Sequence, residues 1–82
     1  MKTEVTLDQD DIRDMHDVVY EVYDEKPSDD FIKFCWDQLP DHIKGTAIKW
    51  GCGDTVFRDN MCEWLSEYKA VVIKKYKEVI DE

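Results

Sequence analysis

The stretch that decides the fold is Thr55-Val56-Phe57-Arg58-Asp59-Asn60-Met61-Cys62-Glu63-Trp64-Leu65-Ser66-Glu67-Tyr68-Lys69-Ala70-Val71-Val72-Ile73-Lys74-Lys75-Tyr76-Lys77-Glu78-Val79-Ile80. It holds no Gly or Pro. Phe57, Met61, Trp64, Leu65, Tyr68, Val72, Tyr76 and Val79 recur in steps of three and four, which lines one side of an α-helix. At 1.5 Å per residue this helix would be roughly 39 Å long. Gly51-Cys52-Gly53 reads as the turn before it, with Asp54 or Thr55 as its cap.

Three shorter helices are expected upstream. The first starts with Thr6 as cap and Gln9 reaching back, a Thr-x-x-Gln capping box. Ile12, Met15, Val18, Val19 and Val22 form its apolar stripe, and it stops near Tyr23 ahead of Pro27. Ser28 caps a second helix carrying Phe31, Cys35 and Leu39, with Ile32, Phe34 and Trp36 beside them. Pro40 ends that helix and suits the first turn of a third, which carries Ile43, Ala47, Ile48 and Trp50 and ends at Gly51. Gly45, inside the third helix, is expected to permit a close helix crossing. No window has the period-2 alternation of a half-buried strand. The expected fold is all-α, one domain over residues 1–82, with three shorter helices packed on one long C-terminal helix. At 82 residues the chain has a thin core, so Trp36, Trp50 and Trp64 are expected in it; the alternative is that one of them is an exposed anchor for a partner.

The net charge is −9, from 20 acids and 11 bases. Residues 1–30 carry eleven acids and three bases, residues 31–66 five and four, and residues 67–82 four and four. Nearly all of the imbalance is therefore in the first third. Asp10, Asp14, Asp17, Glu21 and then Asp24 and Glu25 recur every three or four residues, which sets them on one side of the first helix, away from its apolar stripe. Carboxylates one helical pitch apart, about 5.4 Å, can occupy some of the Lys and Arg sockets that hold a nucleic-acid backbone. A solvated face that keeps a small protein soluble has the same pattern.

Other functions find less in the sequence. A domain at −9 is repelled by phosphates, so direct nucleic-acid binding and anionic membrane surfaces are disfavoured, and a basic protein surface is the expected partner. The helix–turn–helix spacing from Pro40 to Leu65 does not reverse this, since the helix after its turn starts with one base, Arg58. The longest apolar run, Ala70-Val71-Val72-Ile73, is far too short to span a bilayer, and Met1-Lys2-Thr3-Glu4 begins no signal region, so a cytoplasmic protein is expected.

Cys35, Cys52 and Cys62 are odd in number and form no Cys-x-x-Cys knuckle, and His16 and His42 stand at no zinc-like interval. Asp8-x-Asp10 fails as a calcium loop, because Arg13 stands where a Gly must turn the chain. Cys52 is expected to be accessible between two glycines, but Asp54 opposes a thiolate and no base is placed beside it. No enzyme, metal or cofactor is therefore expected.

Ala70, Val71, Val72 and Ile73 cover every azimuth of one helical turn, and Val79 and Ile80 repeat this further on. A helix apolar all round is normally buried all round. Val71, Val72, Ile73 and Ile80 are therefore expected to make a homodimer or docking contact, unless the first helix and the loops cover them.

In size, helical build and carboxylate ladder, the chain resembles the general class of small acidic inhibitors encoded by phages and mobile elements, anti-restriction and anti-CRISPR proteins among them. Acidic antitoxins and small regulatory subunits fit the same description. The resemblance covers the charge pattern of the first third and carries over no functional residue. It implies a small acidic inhibitor or regulator that occludes a basic, nucleic-acid-binding surface of a partner. The other reading is a homodimeric helical accessory or scaffold subunit joined through its C-terminal helix.

Overall fold

Among the described residues of the computed structural model four helices follow one another: α1 (Gln9–Tyr23), α2 (Asp29–Gln38), α3 (Asp41–Trp50) and α4 (Thr55–Ile80). The structure describes Leu7 and residues 9–80. The expected cap at Thr6 lies outside the described residues, and Asp10 and Asp11 occupy the first turn of α1.

The chain reverses where the sequence supplies the means. Asp24 ends α1 at φ 57°, with its N–H donating to the Tyr20 carbonyl at 2.7 Å. Asp tolerates this left-handed conformation better than most residues. The Ser28 Oγ accepts from the Phe31 N–H at 3.1 Å and caps α2. Leu39, held extended ahead of Pro40, closes it. Pro40 is the N-cap of α3 rather than a first-turn residue, and its carbonyl accepts from the N–H groups of Ile43 and Lys44. Gly51 takes φ 97° at the end of α3, and the Asp54 carboxylate accepts from the Val56 N–H at 2.9 Å to cap α4.

The long helix packs against all three shorter ones, and α2 also packs on α1. Phe57, Met61, Leu65 and Val72 form its buried strip. They join Ile12, Met15, Val18 and Val19 of α1, Phe31, Ile32, Cys35 and Trp36 of α2, and Ile43 and Ala47 of α3 in one core. Each buried aliphatic or aromatic side chain contributes about 1.5–3 kcal/mol, which sets the cost of disturbing any of them.

Three expectations change. First, α4 is not straight: Tyr68 has non-helical angles, φ −105° and ψ 18°. On a straight helix Tyr68 would fall in the buried strip between Leu65 and Val72. The kink turns it out to solvent, beside Trp64 at 4.7 Å between ring centroids. A buried phenol needs a partner for its hydroxyl, and exposure removes that demand. Second, Trp50 is not core. It is 52% exposed, with the Lys49 Nζ 4.8 Å from its ring centroid. Ile48 is exposed with it, whereas Trp36 is buried and Trp64 half-buried. The ten-residue α3 covers α4 with one face only, and Ile43 and Ala47 fill that face. Third, Gly45 makes no close crossing, since a Cβ there would meet nothing within 4 Å.

The two glycines of α3 should therefore respond oppositely to alanine. Gly45→Ala should stabilise by about 0.5–1 kcal/mol, by helix propensity and a less flexible unfolded chain. Gly51→Ala should destabilise by about 1 kcal/mol or more, because φ 97° strains any residue with a Cβ. Urea unfolding of both variants measures this.

Candidate acidic interface

The acidic ladder rests on α1, whose opposite side is fixed by Ile12, Met15, Val18 and Val19 in the core. Burying that stripe sets the azimuth of the carboxylates. Asp10, Asp17 and Glu21 are exposed on the helix, and Asp24 and Glu25 are exposed on the turn that follows it. Asp14 differs. It is half-buried, and its carboxylate lies so close to Gly53 that a Cβ there would sit 3.0 Å from Oδ2. Glycine at 53 thus leaves room for the Asp14 side chain against the α3–α4 turn. Five of the six predicted residues are open to a partner, and the sixth is partly committed to the fold.

The exposed carboxylates have little to neutralise them. Asp17 Oδ1 lies 3.8 Å from His16 Nδ1, an ion pair that depends on the imidazole being protonated. No Lys or Arg of the described residues pairs with Asp10, Asp14, Glu21, Asp24 or Glu25. Like charges one turn apart each cost a few tenths of a kcal/mol in an isolated helix, so the ladder carries a net repulsion that a cationic surface would relieve.

The predicted apolar contact is divided by the fold. Val72 is 1% exposed and belongs to the core, so it cannot meet a partner. Ile73 is half-buried and packs against the core. Val71, Val79 and Ile80 are 49%, 58% and 59% exposed. The three short helices cover one side of α4 and do not reach round it.

Cys52 is buried, contrary to expectation, despite a glycine on each side. Cys35 is fully buried, and burial pushes its thiol up to about 12. For Cys35 this disfavours a thiolate at neutral pH. The described residues contain no group of three or more His, Cys, Asp or Glu side chains placed to hold a metal ion. No described helix is long and apolar enough to cross a membrane.

Sequence reasoning missed an aromatic cluster at the far end of the ladder. Tyr23 packs edge-on to Phe31 at 5.1 Å, Phe31 to Tyr76 at 4.8 Å, and Tyr76 lies 5.3 Å from Phe34. The Tyr23 hydroxyl donates to the Lys69 carbonyl at 2.9 Å, one residue past the kink, and the Lys69 Nζ lies 5.5 Å from the Tyr23 ring centroid. One tyrosine of α1 thus ties down the second half of α4. The periodicity marks each ring singly, but no local signal brings Tyr23 across the Pro27 turn to Tyr76.

Comparison with family models, with curated proteins and with solved structures returned no match. The functional reading therefore rests on the geometry alone.

Burial, and secondarily the nearby Cys35 thiol, pushes the Tyr23 phenol up to about 12 from an ordinary value of 10. Its native pKa lies above the unfolded one, so its contribution to stability is complete below pH 10 and is lost as pH rises through 12. Phenolate absorbance should show a step near pH 12 that Tyr23→Phe abolishes, and that variant should lose about 1 kcal/mol with its hydrogen bond. In native protein a thiol reagent should modify half-buried Cys62 well before Cys35 and Cys52, which should react at the rate of unfolding. Mass mapping of the first labelled cysteine reads this directly.

Proposed function

We propose that this chain is a small acidic inhibitor or regulator that binds a basic surface of a partner protein and occludes it. The observation that carries this reading is the row of exposed carboxylates on one face of α1, unneutralised by any described Lys or Arg. Asp10, Asp17 and Glu21 would engage Lys and Arg of the partner from the helix, and Asp24 and Glu25 from the turn. A surface that normally holds a nucleic-acid backbone suits this spacing best, because its cationic sockets already recur along a line. Some phage-encoded inhibitors of the anti-CRISPR or anti-restriction type occupy nucleic-acid-binding surfaces in this manner. The mechanism needs no catalysis: the four-helix body blocks access while the carboxylates supply attraction and long-range steering.

A second reading has its own observation. Val71, Val79 and Ile80 are exposed on the second half of α4, and a homodimeric accessory or scaffold subunit would cover them. The two readings differ in salt dependence, since apolar contact survives screening that weakens surface charge pairs.

In a pull-down from the native host, the captured partner should be lost as salt is raised to about 0.5 M, where the screening length falls to a few ångströms. Asp10→Asn, Asp17→Asn and Glu21→Gln combined should weaken its capture at least tenfold with the fold unchanged by circular dichroism. Capture that is indifferent to both would remove the acidic-face mechanism. Loss of capture in Val71→Glu, Ile80→Glu instead would favour the apolar one.

A further inference from the structure

A groove of about 400 Å³ lies where the end of α1, the α1–α2 turn, the first turn of α2 and the second half of α4 meet. Its apolar walls are Tyr23, Phe31, Ile73 and Tyr76, and Lys26 and Lys77 line it with Glu25. The volume is within the range of clefts that seat a ligand or a few side chains. The walls are already set. The three rings hold one another edge-on, and the Tyr23 hydroxyl is anchored to the Lys69 carbonyl. The turn is fixed by Asp24 in the left-handed region, by Pro27 and by the Ser28 cap.

The charge of this groove runs against that of the molecule. In a chain with 20 acids and 11 bases, two lysines and one glutamate line it. A third lysine, Lys69, sits over the Tyr23 ring. These ammonium groups oppose a basic segment and favour an acidic one.

We propose that this groove docks an extended acidic segment of a partner protein. One apolar side chain of the segment enters between Tyr23, Phe31, Ile73 and Tyr76, and flanking carboxylates meet Lys26 and Lys77. The rings supply the buried anchor and the lysines select the charge of what surrounds it. Glu25 is the one member of the acidic face that also lines the groove, and the two sites take ligands of opposite sign, so either can fail without the other.

The test is a nuclear magnetic resonance titration of the full chain with a capped ten-residue peptide, one central leucine between aspartates. A peptide with lysines in place of the aspartates is the control. The acidic peptide should give saturable shifts at the Ile73 methyls and the Tyr76 ring. Lys26→Glu with Lys77→Glu should weaken it roughly tenfold, and the milder Lys26→Ala with Lys77→Ala should fall between. Absence of saturable shifts at these residues, or equal binding of the lysine peptide, would overturn the proposal. So would concentration-dependent shifts at the same residues without peptide, which would assign the groove to a second copy.

Discussion

The contact between α1 and α4 holds the rest of the molecule in place. Phe57, Met61, Leu65 and Val72 present a strip of fully buried side chains along a bent helix, and Met15, Val18 and Val19 are buried in the same cluster from α1. Removing several buried methylenes from such a core costs about 2–5 kcal/mol, a large share of what so small a domain possesses. That contact also orients everything on the outside of α1. With the stripe facing α4, Asp10, Asp17 and Glu21 have one azimuth open to them, and it faces solvent. The charged face is thus a consequence of the apolar one, placed by packing and not by any interaction among the carboxylates.

The kink at Tyr68 serves the same arrangement. It turns a phenol out of the strip and brings the Lys69 carbonyl under the Tyr23 hydroxyl. Beyond it the short helices cover one side of α4, with Tyr76 against Phe31 and Phe34, and leave Val71, Val79 and Ile80 exposed. The first half of α4 is a core element. Its second half keeps Val72 in the core and exposes Lys74, Lys75 and Lys77. The excess of carboxylates thus lies along α1, acids and lysines are balanced over residues 67–82, and the aromatic groove lies where the two regions meet.

Much of this was legible in the residues. Ser28, Pro40, Gly51 and Asp54 punctuate the chain because each has a local backbone role that tertiary context does not override. The steps of Phe57, Met61 and Leu65, or of Ile12, Met15 and Val19, state which side is buried. The failures share one cause. Trp50, Tyr68 and Val72 all have helical spacing, and spacing gives azimuth without saying how far along a helix its neighbours extend. Trp50 lies on the uncovered side of a ten-residue helix, Tyr68 at a bend, and Val72 in the buried strip that its own spacing marks, where it cannot also serve the expected docking contact. Cys52 was misjudged because two flanking glycines indicate a free backbone, whereas burial depends on what packs over the turn. Asp14 fits its ladder by period, yet its carboxylate lies against Gly53, a contact between residues far apart in the chain.

The exposed carboxylates beyond the first turn of α1 do nothing for the fold and are maintained against their own repulsion. The most direct measurement is the unfolding free energy, in urea at low salt, of a variant combining Asp17→Asn, Glu21→Gln and Glu25→Gln. These carboxylates are exposed and lie beyond the first turn of α1, where an acid would favour the helix dipole. The account predicts stability equal to that of the parent chain or higher by a few tenths of a kcal/mol, as repulsion is relieved. A loss of about 1 kcal/mol or more would show that the carboxylates hold the structure together, and would contradict it.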